Sequence, residues 1–382
     1  MIDIVECKNK KQMKQFAVFP IKLYKKCPYY VPNLVHDEKH LLDPDKNNML
    51  RDSVVKCFVA YKDNKLAGRI CAIISPSANA AYNKKEVRFS RPDFIEDIEV
   101  LKKLLKAVAL FGKENGMETI AGPWGFDDTD REGLLTYGYN QLSNYVTAYS
   151  YPYYARFFDI LKFNKQSEWI EYSFDYKHTD TSYFEKVAQM LKEKDEYREL
   201  TETLSIKQII KQYGDSFIDC YNKAYSSLDN FIPFDEKAKE RMFKDIGPII
   251  NKDYLSVIVN KEDKVIALGV GFPDLGNALR WGRGNFLLCA LPLIYFSKFP
   301  KCIELALIAV DPEYMNNGLP SLLIDKFVRS FRKNKVRDVW MDPVLTTNLK
   351  MQNLWKRTDK DIRQMRQTYV LNIDKFLDGI KE

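Results

Sequence analysis

The order in which strand-like and helix-like apolar patterns follow one another repeats once along this chain, and no other feature restricts its fold as strongly. In the first half, apolar alternation marks strands at residues 2–6, 54–61, 66–74 and 86–89, with a basic helical region running to about residue 24. The clearest helix covers 97–115, where Leu101, Leu104, Leu105, Val108 and Phe111 recur at three- and four-residue intervals and Gly116 stands ready to end it. Residues 117–122, 153–163 and 168–174 then read as strand, helix and strand. A charged helical stretch at 182–194 lacks a strong apolar stripe and suits a bridge. After it the order begins again, with strands at 196–200, 255–259, 265–272, 303–310, 336–341 and 367–373 and helices at 206–224, 236–245, 319–332 and 348–357. Each half therefore reads β, α, α, β, β, β, α, β, α, β. The implied class is α/β (α+β) with two consecutive domains, residues 1–178 and 196–382, joined by a linker helix at 179–195. Each would be a mixed, mostly antiparallel sheet flanked by helices.

Size agrees, since 382 residues exceed one ordinary domain and allow two cores of about 180 residues each. The 59 basic and 52 acidic residues are interleaved, so the net charge of +7 is not a nucleic-acid signature. Among the N-terminal lysines, Met13, Phe16 and Phe19 recur at helical spacing and predict a solvated helix face over a core. Seven cysteines without a CxxC fit reduced thiols in a cytoplasmic protein. The pair His36 and His40 shares a helical face but has no third ligand, so no metal is expected. No signal-length segment opens the chain, and the longest apolar run, 286–296, is interrupted by Pro292 and is about half of what a bilayer span needs. That run is expected to be buried, or to serve a pocket or a subunit contact. The oligomeric state is not legible.

The most informative segment is IELALIAVDPEYMNNGLPSLLIDKF at 303–327, an apolar strand that enters a tight loop and then an amphipathic helix. Backbone N–H groups of such a loop, with the helix N-terminus behind them, suit a pyrophosphate. The segment resembles the acetyl-CoA motif of GNAT acetyltransferases, R/Q-x-x-G-x-G/A, at Met315, Asn316, Asn317, Gly318, Leu319 and Pro320. Only the central glycine is kept; Met315 replaces Arg or Gln, and Pro320 removes one N–H donor while remaining acceptable in a first helical turn. Over nearly its whole length the chain is also similar to a largely uncharacterised bacterial family of tandem GNAT-like proteins. The hallmarks are Pro28-Tyr29-Tyr30-Val31-Pro32, Gly68-Arg69-Ile70, Gly122-Pro123, Gly133-Leu134-Leu135, Gly138-Tyr139, Pro152-Tyr153-Tyr154 and Pro273-Asp274-Leu275-Gly276-Asn277-Ala278-Leu279. This resemblance implies an N-acyltransferase that uses acetyl-CoA or another acyl-CoA as substrate, held by Ile308, Val310, Asn316, Asn317, Gly318 and Leu319.

Acyl transfer to an amine needs a base, a strand edge to position the thioester and an acid for the leaving thiolate. Glu304 lies on the strand entering the loop, where some GNAT enzymes carry a base; a solvent-facing carboxylate on the alternate face is the simpler expectation. The usual acid is a Tyr in the helix after the next strand, and Trp355 stands there. In the first half Phe158 takes that place and no glycine loop precedes the helix at 97, so this half is not expected to bind CoA. Asp127 and Asp128, followed by Tyr139, Tyr153 and other tyrosines, suit a small-molecule amine or peptide acceptor in the cleft between domains. A solvated acidic loop over a tyrosine-rich core is the plainer alternative. A non-catalytic GNAT-fold binding protein remains the second reading; it requires a loop closed by side chains and no gap between strands 303–310 and 336–341. Aminoacyl transfer onto a peptidoglycan precursor, as in Fem-type enzymes, would rest on domain doubling alone.

Overall fold

The computed structural model describes all residues except 127–129, 229–230, 248–249, 357 and 381–382, and leaves out the side chains of 48, 51, 245 and 246. The first half supplies β1 (Ile2–Glu6), α1 (Lys10–Leu23), β2 (Val54–Lys62), β3 (Lys65–Ile74), β4 (Glu86–Phe94), α2 (Ile98–Glu114), β5 (Thr119–Gly122), β6 (Leu134–Tyr137), α3 (Pro152–Ile160) and β7 (Asn164–Phe174). The second half supplies α4 (Ser182–Glu193), β8 (Arg198–Glu199), α5 (Ile206–Tyr225), β9 (Leu255–Val259) and β10 (Val265–Pro273). It continues with α6 (Phe286–Lys298), β11 (Cys302–Val310), α7 (Leu319–Asn334), β12 (Asp338–Met341), β13 (Val344–Leu345), α8 (Leu349–Leu354) and β14 (Asp361–Asn372). The sheets are mixed and mostly antiparallel, as the repeated pattern requires.

The chain forms two compact units, but they are not its two halves. The first gathers 1–170, 275–295 and 363–382, and the second 171–274 and 296–362. Strand order in the first is β1-β2-β3-β4-β5-β14-β7, and in the second β7-β12-β11-β10-β9-β8. The boundaries expected from the sequence, 1–178 and 196–382, thus miss an exchange of closing strands. β14 pairs antiparallel with β5 from Tyr369↔Gly122 to Asn372↔Thr119, whereas the end of β7 pairs with β12 at Val339↔Phe174 and Trp340↔Ser173. Period-2 alternation says which face of a strand is buried and nothing about which strand lies beside it.

Within each unit the helix after the fourth strand packs on the sheet through a glycine of the third. A Cβ on Gly68 in β3 would lie 2.8 Å from Leu104 of α2, and one on Gly269 in β10 would lie 2.8 Å from Phe327 of α7. The missing side chain is what admits the helix so close to the strand. Leu101, Leu104, Leu105 and Val108 are fully buried against the first sheet, and Leu323, Phe327 and Phe331 are buried on α7. Met13, Phe16 and Phe19 on α1 face the core as their spacing predicts.

Two helices differ from the sequence reading. α4 is not a bare bridge: Phe184, Ala188 and Leu191 form a buried i, i+4, i+7 stripe, and Lys192 and Glu185 bond Asp325 at 2.6 Å and Arg332 at 2.7 Å on α7. The stripe is narrow, and a small Ala in its centre weakens the apolar signal. α6 does form across 286–296, yet most of its apolar side chains are exposed rather than buried.

The strand exchange makes a direct prediction. A chain ended at Lys360 loses β14 together with Tyr369, Ile373 and Phe376, all buried in the first core, and bares the edge of β5. Removing three such anchors should cost more than about 5 kcal/mol. Circular-dichroism melting should then show the first unit unfolded or aggregated; an unchanged melt would refute the exchange.

Candidate functional site

In the second unit, β11 and β12 run parallel and pair from Cys302↔Asp338 to Leu305↔Met341, where the register ends. At that point β11 carries a bulge: Val270 of β10 pairs with Leu307 and Gly271 with Leu305, so Ala306 is the extra residue. A bulge bends its strand and terminates pairing on the far side. Residues 307–310 remain paired with β10, while toward β12 the Asp342 amide donates to the Leu305 carbonyl at 3.1 Å. Ile308 and Val310 therefore stand on a strand edge that opens toward the loop.

The loop is tightly made. Asp311 is buried; its carboxylate accepts from the Glu313 amide at 3.1 Å and from Lys223 at 2.9 Å, and the Tyr314 amide donates to its carbonyl at 2.8 Å. Asn260 in the β9–β10 turn donates to the Tyr314 hydroxyl at 3.0 Å. Gly318 sits at φ +76, a conformation glycine adopts without penalty, and starts α7 without a side-chain cap. The Asn317 amide is bonded to the Tyr314 carbonyl and Ser321 to that of Gly318. Among the described residues no acceptor meets the amides of Asn316, Gly318 or Leu319. Three N–H groups at the start of a four-turn helix form a positive end suited to phosphate oxygens. On the other side of the loop, α4 approaches closely: a Cβ on Gly318 would lie 3.0 Å from Val187 and 3.5 Å from Leu191. The Asn317 side chain reaches the Tyr197 hydroxyl at 3.3 Å. One face of the loop is thus covered, while β11 runs on past the end of its pairing with β12.

Glu304 is buried, 3% exposed, which corrects the solvent-facing expectation. It lies two residues before the bulge, with Phe272 and Trp340 as its cross-strand partners; both faces of β11 are covered, so alternation does not bring it to water. Trp355 is also buried, and rings of Phe174 and Phe184 lie 5.6 and 6.4 Å from it. It fills core where the acid would sit. Sequence reasoning missed Tyr172, on the end of β7. Its hydroxyl donates to Gln352 of α8 at 2.5 Å, and burial raises its pKa. Lys360, whose ammonium burial lowers, lies 5.1 Å over the Tyr172 ring and bonds the Trp355 carbonyl at 2.6 Å. Only the strand exchange brings Tyr172 to this helix, so no local motif could have announced it.

The first unit repeats the geometry and fills it. β4 and β5 pair in parallel from Glu86↔Thr119 to Arg88↔Ala121, and β4 then bulges between Asp93 and Ser90, with Arg91 at φ +52. In the opening lies a buried charge network. Arg69 bonds Asp93 at 2.7 Å and Glu38 at 2.6 Å, while Arg91 bonds Glu38 at 2.9 Å and Asp130 through two contacts of 3.1 Å. The Tyr24 hydroxyl lies 3.1 Å from the Asp93 carboxylate and 2.8 Å from the Tyr154 hydroxyl. The remaining cavity, lined by Tyr30, Arg69, Arg91, Asp93 and Arg131 among others, has a volume of about 40 Å³, room for a few waters and not for a nucleotide.

Of the acceptor candidates, Tyr153 donates to the Phe94 carbonyl at 2.6 Å and Tyr139 to that of Leu135 at 3.0 Å. Both pack against the first core. Asp127 and Asp128 lie outside the described residues.

Burial alone would raise the Glu38 carboxyl, but the guanidiniums of Arg91 and Arg69 hold it at about 2, below an ordinary 4.5. A depressed carboxylate stabilises fully above its unfolded pKa and loses that contribution as pH falls through the folded one. Glu38 should therefore contribute about 3 kcal/mol above roughly pH 5 and progressively less toward pH 2. Urea titrations across that window should show wild type losing stability more steeply than Glu38→Gln, which is itself weaker by about 3–5 kcal/mol at neutral pH because two cations lose their partner. Parallel curves would refute the assignment.

Comparison with known proteins agrees with this geometry. Residues 214–359 match the sequence model of the acetyltransferase (GNAT) family. Protein YghO of Escherichia coli strain K12 is 24% identical over 357 residues, 91% of this chain and 90% of that protein. A tandem GNAT protein from the clavulanic acid biosynthesis pathway superposes with a TM-score of 0.59 at 10% identity, covering 98% of this chain and 99% of its own. A GCN5-related N-acetyltransferase from Sphaerobacter thermophilus gives 0.50 at 8% identity, over 97% and 96%. At such identities the likeness is one of fold.

Proposed function

We propose that this chain, which carries the GNAT fold in tandem with the acetyltransferase family model matching its second half, is an acyl-CoA-dependent N-acyltransferase whose donor site lies in the second unit. One observation carries the reading: the β11–β12 pairing ends at Leu305 beside the Ala306 bulge, and among the described residues no acceptor meets the amides of Asn316, Gly318 and Leu319 in the loop that follows β11. The pyrophosphate of an acyl-CoA takes the loop amides and the N-terminus of α7. Its thioester lies along residues 306–310, where backbone N–H groups stabilise the developing oxyanion. No metal takes part.

The acceptor is an amine of a small molecule or peptide. Its nitrogen attacks the thioester carbonyl, the C–S bond breaks, and CoA leaves as a thiolate that must gain a proton. Glu304 takes the ammonium proton; its place beside the opened edge and its burial suit a base. Tyr172 supplies the proton to the thiolate in place of the tyrosine that Trp355 replaces, and is restored by the second proton that the nitrogen gives up as the amide forms. Asp127, Asp128, Tyr139 and Tyr153 stay attached to this reading as acceptor contacts only through the aromatic and acidic character of their segments. The Pro320 and Trp355 replacements favour a second reading, a non-catalytic binding protein that has kept the fold.

One experiment separates the two. Full-length protein should gain thermal stability with acyl-CoA, by about 2.7 kcal/mol at a hundredfold excess over Kd, and should release free CoA in the presence of amines. Glu304→Gln should keep the stabilisation while turnover falls by about 10²–10⁴-fold. Binding without turnover in wild type would select the non-catalytic reading, and no stabilisation at millimolar ligand would end both the donor site and the enzyme. Gly318→Ala, strained by about 1–2 kcal/mol in its left-handed conformation and pressed against Val187, should weaken acyl-CoA binding more than Glu304→Gln does.

A further inference from the structure

α6 is apolar on every side, in the sequence FLLCALPLIYFSK. Such a helix belongs inside a core, yet here much of its apolar surface is exposed. Cys289 is buried with Val31 and Leu279, and Leu293 packs on the same small cluster. Leu287 and Leu291, at i and i+4 on another face, are 81% and 79% exposed; Phe286, Leu288 and Ile294 are also exposed, and Trp281 just before the helix is 69% exposed. The helix is anchored on purpose: Asn285 caps it through the amides of Leu287 and Leu288 at 3.1 and 3.4 Å, and the turn at Gly282 to Gly284 is fixed by close packing on Cys289 and Asn33. An exposed apolar surface held this firmly marks an interaction face.

Charge selects the occupant. Between residues 275 and 301 stand Arg280, Arg283, Lys298 and Lys301 and no acidic residue. A second copy meeting this face would bring cation against cation, whereas an anionic surface neutralises all four. With 13 residues the helix is about 20 Å long, too short to cross a hydrocarbon core of about 30 Å, and no helix among the described residues is long and apolar enough to span one. It can lie in the plane of the interface with its leucines among the acyl chains and its cations at the headgroups, Trp281 occupying the boundary where indole rings favour both sides.

We propose that α6 is an interfacial anchor that binds the protein to anionic lipid bilayers. This inference concerns α6, of which residues 286–295 belong to the first unit, and stands independently of the donor site.

Vesicle flotation with the full-length protein tests it, comparing phosphatidylcholine alone with phosphatidylcholine mixed with phosphatidylglycerol. Wild type should float with the anionic vesicles, release as salt rises, and stay behind with the neutral ones. Leu287→Ser/Leu291→Ser changes two side chains already in water and so should fold normally, yet reduce partition by about tenfold or more. Arg283→Glu/Lys298→Glu should reduce it similarly, with the loss confined to anionic vesicles. The proposal is overturned if wild type does not float, if the leucine variant floats as well as wild type, or if light scattering shows a dimer that the leucine variant abolishes while vesicles bind neither protein.

Discussion

Each compact unit is closed by a strand from the other half of the sequence, and much of the remaining structure depends on that exchange. β14 brings Tyr369 into the first core and, with it, a row of buried polar side chains that would be out of place on an edge. Gln367 bonds the Ser167 carbonyl at 2.8 Å and Gln364 that of Gly138 at 3.3 Å, while Arg363 and Arg366 bond the carbonyls of Leu142 and Ala148. Arg363, Gln364 and Arg366 thereby supply donors to carbonyls of the irregular segment around residues 138–148. The polar run Arg363-Gln364-Met365-Arg366-Gln367-Thr368 is thus explained by the strand's neighbours and not by its own periodicity.

The two units also show one backbone device used for opposite ends. In both, a parallel strand pair stops after three or four residues and one of its strands bulges against its antiparallel neighbour. In the first unit the space beside the bulge is lined by Arg69, Arg91, Glu38 and Asp93, long charged side chains that pair with one another and consume it. In the second the residues beyond the bulge are Ala306, Leu307, Ile308, Ala309 and Val310, which leave the strand edge to its backbone. The side chains decide whether the space beside the bulge is taken up by charge pairs or bordered by short and aliphatic residues. A buried ion-pair network of this kind is expensive to desolvate, and its complete mutual pairing is what makes it tolerable.

This contrast explains how far the sequence could be read. Elements with strong local periodicity were legible: α2 through Leu101, Leu104, Leu105 and Val108, β11 through its unbroken apolar run, the turn at Gly318 through its glycine. The loop's capacity to hold phosphate could also be argued, because it depends on a strand, a glycine and a helix start that are contiguous. Features set by non-local pairing were not legible. The bulge at Ala306 exists only relative to β10, the burial of Glu304 depends on both sheet faces being covered, and the partner of β14 is more than two hundred residues away. α6 misled for a different reason: an apolar run normally predicts burial, and sequence does not show which apolar surface the fold declines to cover.

Tyr172 shows that the doubling is more than repetition. The second half of the chain, taken alone, has a tryptophan where its fold relatives would carry a hydroxyl, and that tryptophan is locked between Phe174 and Phe184. Its hydroxyl at α8 comes from β7, encoded in the first half, on the few residues by which that strand completes the second sheet. The strand that closes the second sheet is therefore also the one that brings a titratable group to it. With the end of β7 beside α8, Trp355 can serve as packing while the hydroxyl that meets Gln352 is carried by the neighbouring strand.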